Sequence, residues 1–138
     1  MIDLDNQTGI EIDIDILNDI ADEKKVIELV IVDDKTMQAI NLKQRGVNKT
    51  TDVLSFPLED FPHFPLGSIV INSDLAKIRA KEFGHRLSDE ITLMFIHGLL
   101  HIKGYDHERD NKEMRDEEAR IIDKFNLPKS LIMRMEES

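Results

Sequence analysis

The chain has 138 residues, of which 41% are hydrophobic, and its formal net charge is −10 at pH 7. This length supports one domain with a hydrophobic core, and we expect a single domain over residues 1–138. The chain has no cysteine, which excludes disulfide bonds, a disulfide-linked partner and thiolate metal ligands. Neither a signal pattern nor a run of 18 apolar residues is visible, so we expect a cytoplasmic protein without membrane association.

The acidic charge is distributed unevenly. Residues 1–34 carry eleven acidic and two basic side chains, whereas the segment from Lys35 to Thr51 has no acid and four bases, among them Arg45. Nucleic-acid binders usually present a basic surface, so the net charge argues against a polyanionic partner. The basic segment leaves two interpretations open, a local phosphate-binding face or ordinary solvated helix surfaces.

The first half of the chain is predicted to contain two strands and two helices. Alternating apolar residues favour a strand within residues 1–6, and β-branched residues favour a buried strand over residues 26–32. The isoleucines between them fit both a strand and a helix, and we favour the helix. Asp33 or Asp34 can cap a second helix that ends by Gly46. Its predicted inward residues are Met37, Ile40 and Leu42.

Two further strands and a helix are expected in the middle of the chain. The first strand covers residues 51–56 and is stopped by Pro57, and the second covers residues 67–72. Ser73 or Asp74 is the predicted cap of the following helix, which ends at Phe83. Its predicted inward residues are Leu75, Ile78 and Phe83.

Two helices complete the predicted fold. Residues 89–103 form a long helix that begins after a Ser88 cap, and apolar residues surround it so fully that we expect it to be central. Glu90 is taken as a surface charge. A last helix covers residues 110–125. Strands and helices do not alternate regularly, so the predicted class is α+β, with helices packed on a small mixed β-sheet.

The long helix carries a histidine cluster that predicts a metal site. His97, His101 and His107 lie within eleven residues, and the first two stand one helical turn apart on one face. Gly104 allows the chain to turn after the helix and to return His107 towards the same point. Three imidazoles with an open fourth position are typical of one catalytic zinc per chain. His63 and His85 lack this spacing and are interpreted as structural.

The histidine spacing is that of zincin-like proteases, with one difference. In the extended protease motif, the first histidine is followed by the glutamate that acts as general base, and here that residue is Gly98. A glycine inside a helix costs about 0.8–1.0 kcal/mol relative to alanine, which suggests that space beside the metal matters. A metal held in this way can polarise a phosphoryl or a carbonyl oxygen. The residues leave open a metal-dependent hydrolase, such as a metalloprotease or amidase with another base, and a non-enzymatic binding module with a structural zinc.

Two sequence blocks resemble the YbeY endoribonuclease family. One runs from His97-Gly98-Leu99-Leu100-His101 to Gly104-Tyr105-Asp106-His107, and the other is Thr51-Asp52-Val53-Leu54-Ser55-Phe56-Pro57 with Arg45 upstream. The resemblance implies a zinc-dependent, single-strand-specific endoribonuclease. It further implies a role in ribosomal RNA maturation at the 16S 3′ end and in ribosome quality control, with ribosomal RNA and small-subunit components as partners.

The same resemblance assigns individual residues. It implies that His97, His101 and His107 bind Zn²⁺ and that Arg45 is a functional cation near the metal, a role that suits a guanidinium acting on phosphate. Asp106 either orients a ligand imidazole from the second shell or caps the last helix. One position departs from the family pattern, because Ser68 stands where an aspartate is usual, and this puts the role of that position near the cleft in doubt.

Overall fold

The computed structural model describes residues 1–59, 61–105 and 111–129. Helices pack on one four-stranded mixed sheet, so the predicted α+β class is confirmed. No helix within the described ranges is long and apolar enough to cross a membrane. The elements are β1 (Ile2–Asn6), α1 (Ile14–Ala21), β2 (Ile27–Val32), α2 (Asp34–Arg45), β3 (Val53–Pro57), β4 (Gly67–Asn72), α3 (Ser73–Phe83), α4 (Leu87–Ile102) and α5 (Asn111–Lys124).

The sheet has the strand order β1-β2-β4-β3. β1, β2 and β4 are parallel, and β3 is antiparallel to β4 at the edge. Side chains alternate between the two faces of a sheet. On one face, Leu29 and Ile69 pack with α1, α4 and α5, and on the other face Val32 and Val70 pack against Met37 of α2. Helices α2 and α4 therefore cover opposite faces.

Helix α4 is the centre of the larger core. Twelve of its sixteen residues are buried, and Phe95, Ile96 and Leu99 are among the most fully buried side chains of the protein. Burial of each such side chain contributes about 1.5–3 kcal/mol. The prediction of a central helix is confirmed. The prediction for Glu90 is wrong, because the packing that surrounds α4 buries this residue completely.

The helix starts follow side-chain capping, with two corrections. Asp33 caps α2 as predicted, since its carboxylate accepts a hydrogen bond from Thr36 N at 2.8 Å. Helix α3 is capped by Asn72 rather than by Ser73 or Asp74. Helix α4 begins before Ser88, because the carboxylate of Asp89 accepts a hydrogen bond from Arg86 N at 3.1 Å and closes the first turn.

Two predicted inward residues point to solvent. Leu42 of α2 is 47% exposed and Ile78 of α3 is 51% exposed. The buried residues of α3 include Ala76 and Ala80, and such small side chains allow a helix to approach its neighbours closely. The inward faces of these helices are therefore set by close packing and not by the largest apolar residues.

Candidate metal centre

His97 and His101 converge on one point beside α4. Their Nε2 atoms are 3.2 Å apart, and their ring centroids are 4.7 Å apart with an angle of 76° between the planes. Two imidazole nitrogens that each lie about 2.0–2.1 Å from a tetrahedral zinc are about 3.3–3.4 Å from one another. The observed pair therefore fits two adjacent ligands of one metal ion.

The two histidines are also the accessible part of an otherwise buried segment. From Asp89 to Ile102, every residue except His97 and His101 is buried. The side chain of His97 is 27% exposed. A ligand that approaches this segment of α4 from solvent thus meets the imidazoles before any other side chain of the segment.

The turn that follows α4 has the predicted glycine geometry. Gly104 has φ +99°, a backbone conformation that L side chains rarely adopt. Its amide donates to His101 O at 3.1 Å, and the amide of Tyr105 donates to Leu100 O at 3.0 Å. The helix ends and the chain turns within three residues of His101, as the sequence predicts.

The structure adds a carboxylate that sequence reasoning missed. Glu118 of α5 places Oε1 at 3.2 Å from Nδ1 of His97, and its side chain is only 2% exposed. A signal existed in the sequence, because position 118 lies on the same helical face as Met114 and Ile122, both of which are buried. An acid on an apolar face indicates a buried partner.

Two further predicted site residues lie outside the described part of the chain. His107, the predicted third ligand, and Asp106, predicted either to orient a ligand imidazole or to cap the last helix, both fall between residues 105 and 111. Within the described ranges, no group of three or more potential metal-binding side chains is assembled. The two imidazoles supply nitrogen donors of the type that zinc prefers in a protein without cysteine, so they fit that metal.

Gly98 is explained by packing rather than by space beside the histidines. A Cβ at this position would lie 2.8 Å from Cγ2 of Ile69 on β4, which is too close for an unstrained contact. The glycine therefore allows α4 to lie directly on the sheet. The interpretation that Gly98 leaves room next to the metal is wrong, because Ile69 fills that space.

The second sequence block lies on β3 and on the turn before it. Asp52 uses its carboxylate to accept a hydrogen bond from Val53 N at 2.9 Å, so it stabilises the start of the strand. Ser55 pairs with Ile69 and therefore shares the sheet face on which α4 packs. Ser68 pairs with Phe56 on the opposite face, so the position where the family has aspartate points away from α4.

Arg45 is not brought into contact with the histidines. It is the last residue of α2, its side chain is exposed, and α2 lies on the other face of the sheet from α4. Gly46 follows it as the C-cap with φ +70°. Its role as a functional cation stays a prediction.

Comparison with known proteins identifies the family. A sequence model described as endoribonuclease YbeY matches residues 6–126. The chain belongs to the YbeY family. An endoribonuclease YbeY from Nautilia profundicola is 57% identical over 139 residues, covering 99% of this chain and 100% of the relative. One from Campylobacter jejuni is 62% identical over 111 residues, covering 80% of this chain and 82% of the relative.

A solved structure has the same architecture. The solution structure of TM1509 from Thermotoga maritima superimposes with a TM-score of 0.65 at 26% sequence identity, and the match covers 91% of this chain and 89% of that one. The arrangement of helices on a mixed sheet is thus similar to that of TM1509.

Proposed function

We propose that this protein is a zinc-dependent endoribonuclease that cleaves single-stranded ribosomal RNA in the cytoplasm. Its proposed roles are maturation of the 16S 3′ end and ribosome quality control. The proposed metal site is supported by the 3.2 Å separation of the His97 and His101 Nε2 atoms. RNA as substrate is supported by the endoribonuclease names of the YbeY relatives.

His97, His101 and His107 are proposed to hold one Zn²⁺ per chain. When bound, the metal supplies positive charge that polarises a phosphoryl oxygen of the substrate. Cleavage of a phosphodiester requires stabilisation of the charge that develops on these oxygens. Arg45 is proposed to contribute a permanently charged guanidinium that can bind phosphate in bidentate fashion.

Peptide hydrolysis is less well supported by the same geometry. The residue after His97 is Gly98, which cannot accept a proton, and Glu118 contacts the Nδ1 side of His97. A general base must reach the attacking group on the coordinating side. The described carboxylate nearest to the histidine pair is therefore oriented to support a ligand and not to activate a nucleophile.

The activity is tested with purified protein on single-stranded and duplex fragments of ribosomal RNA. We expect zinc-dependent cleavage of the single strand by the wild type, loss of cleavage in His101→Ala, and retention in His63→Ala, which changes an exposed loop histidine. Arg45→Glu should weaken cleavage, with Lys81→Glu as the matched charge reversal on α3. Equal cleavage by the wild type and His101→Ala would indicate a contaminating nuclease and overturn the proposal.

A purely structural metal predicts a different result. Removal of a structural zinc lowers the free energy of unfolding directly. We expect instead that chelation abolishes cleavage and that the metal-free protein remains folded, because α4 is held by the hydrophobic core. Loss of helical circular dichroism on chelation would favour the non-enzymatic binding module.

A further inference from the structure

Glu118 holds a defined position beneath the histidine pair. It lies on α5, between Met114 and Ile122, which are both fully buried. Its carboxylate is nearly excluded from solvent and contacts Nδ1 of His97 across the interface between α4 and α5. Because the two flanking residues anchor this face of α5 in the core, the carboxylate has little freedom to move away from the imidazole.

An imidazole beside such a carboxylate has one preferred tautomer. An ionised carboxylate only accepts hydrogen bonds, and a neutral imidazole carries its single proton on either Nδ1 or Nε2. With Glu118 Oε1 at 3.2 Å, the proton is favoured on Nδ1, where it is donated to the carboxylate. The lone pair is then on Nε2, the atom that faces His101 Nε2.

We propose that Glu118 is a positioning residue that fixes His97 in the Nδ1–H tautomer and thereby prepares Nε2 to bind the metal. The link to the metal rests on the function proposed above. Carboxylates that orient ligand histidines in this way typically raise metal affinity 10–100-fold. The proposal makes α5 part of the metal centre, although it supplies none of the predicted ligands.

Glu118 acts through His97 and not on the substrate. Nδ1 and Nε2 lie on different sides of the imidazole ring and point away from each other. A carboxylate that contacts Nδ1 is consequently on the far side of the ring from the point where the two Nε2 atoms converge. This position suits orientation of the ring, and it separates Glu118 from the reacting groups.

The tautomer is tested directly in the metal-free wild type. Nitrogen-15 NMR of the histidine side chains distinguishes a protonated from an unprotonated ring nitrogen. We expect His97, at a pH where it is neutral, to carry its proton on Nδ1. A predominant Nε2–H tautomer would overturn the proposal, and this measurement requires neither bound metal nor a variant.

A matched pair of variants then tests the effect on metal binding. Glu118→Gln is nearly isosteric, but its amide can donate a hydrogen bond to Nδ1 and so favour the tautomer that blocks Nε2. Glu117→Gln removes the same charge one residue earlier, where the side chain pairs with Arg120. We expect Zn²⁺ affinity, measured by chelator competition, to fall about 10–100-fold in Glu118→Gln and to change less than twofold in Glu117→Gln.

The outcomes separate the two proposals. Equal Zn²⁺ affinity in both variants overturns the role of Glu118 and leaves the metal site intact. If the wild type binds no Zn²⁺, the proposed metal function fails, while the tautomer of His97 still decides whether Glu118 orients the ring. If Glu118→Gln does not fold, the wild-type NMR measurement alone supports or overturns the proposal.

Discussion

Two polar clusters in this protein differ in both composition and arrangement. The first cluster is His97, His101 and Glu118 between α4 and α5. The second, which we call the Asn72 network, contains Asp34, Thr50, Asn72 and Asp74 at the carboxyl ends of β2 and β4. The first cluster brings two nitrogen atoms that can bind a metal to within 3.2 Å of one another.

The Asn72 network uses its polar groups to connect backbone segments. Asn72 is completely buried, and its Nδ2 lies 2.8 Å from Asp34 Oδ1 and 3.1 Å from Thr51 O. Its Oδ1 accepts from the amides of Asp74 and Leu75 at the start of α3. The amide of Asp34 in turn donates to Asp74 Oδ2 at 2.8 Å. These bonds tie the starts of α2 and α3 to the turn before β3.

The difference shows what distinguishes a chemical site from a structural one. In the Asn72 network, donors face acceptors, so the cluster stabilises the loops around it. In the histidine cluster, two nitrogens that can act as ligands face each other, and the Glu118 carboxylate contacts the opposite side of the His97 ring. Substitutions in the two clusters should therefore change different properties of the protein.

The largest expected effect is loss of metal binding in His101→Ala. Removing one of two converging imidazoles should lower Zn²⁺ affinity on the order of 100-fold or more, since even supporting residues contribute 10–100-fold. Titration with Zn²⁺ in the presence of a competing chelator measures this change. Because His101 is partly exposed, we expect the melting temperature of the metal-free protein to change little.

The comparison would fail if His101→Ala unfolded the protein. A strong loss of helical circular dichroism in the metal-free variant would show that the histidine cluster, like the Asn72 network, mainly supports the fold. His63→Ala serves as the control for removing an imidazole from the surface.

The second prediction concerns stability and the Asn72 network. Asn72→Ala removes the side chain that joins α3 to Asp34 and Thr51, and it leaves their partly buried polar groups without these partners. We expect the free energy of unfolding to fall by about 2–4 kcal/mol, since loss of the α3 cap costs about 0.5–2 kcal/mol and each further hydrogen bond lost costs about 0.5–1.5 kcal/mol. Urea denaturation measures the loss.

Unlike its stability, the Zn²⁺ affinity of Asn72→Ala should not change. Folded Asn72→Ala should bind Zn²⁺ as tightly as the wild type, and a tenfold weaker affinity would show that the two clusters are coupled. Gln38→Ala is a suitable control, because it removes an exposed hydrogen bond to Asn48 that should contribute little to stability.

The sequence predicted the parts of this arrangement that depend on local spacing. His97 and His101 are four residues apart on one helix, and the glycine turn follows directly, so periodicity alone indicated a metal site. Glu118 is 21 residues from His97 in sequence, and the contact arises only when α5 packs on α4. The packing of Gly98 on Ile69 also joins two distant elements, so local reasoning assigned the glycine to the metal.

The inward faces of α2 and α3 also could not be predicted from local spacing. Leu42 and Ile78 are larger and more apolar than the residues that are buried in their place, Asn41 and Ala80. Asn41 is retained inside because its amide donates to Lys49 O at 2.9 Å. Such a choice depends on the path of a neighbouring loop, which the amphipathic pattern of a helix does not contain.

The third prediction tests the packing of α4 on the sheet. Gly98→Ala introduces a methyl group 2.8 Å from Ile69 Cγ2, and overpacking of this kind typically costs about 1–3 kcal/mol. The better helix propensity of alanine offsets up to about 1 kcal/mol. We therefore expect a net loss of about 1–2 kcal/mol in the free energy of unfolding, measured by urea denaturation.

A double-mutant cycle identifies the cause of this loss. Ile69→Ala removes the group that the new methyl would contact, so Gly98→Ala should be neutral or stabilising in that background. An equal loss in both backgrounds would show that Ile69 is not the source of the strain. Zn²⁺ affinity should be little affected by Gly98→Ala, because its methyl group points to β4.

The smallest expected effect is a change in the free energy of unfolding at acidic pH. Hydrogen bonds from the Thr50 and Asn72 side chains lower the pKa of Asp34 below its usual 3.8. A carboxylate with a lowered pKa in the folded state stabilises the protein above the unfolded-state pKa, and this contribution is lost as the pH falls through the folded-state value. We expect wild-type stability to decrease as the pH falls below about 4, in part because of Asp34.

Asp34→Asn tests this contribution without removing the acceptor oxygen. The variant should be less stable than the wild type near neutral pH, and the difference between them should shrink as the pH falls below about 4. Urea denaturation at pH values from neutral to about 3 measures it. A difference that stays constant over this range would show that the Asn72 network does not stabilise the charge of Asp34. The distinction between the Asn72 network and the histidine cluster would then depend on the measured Zn²⁺ affinities alone.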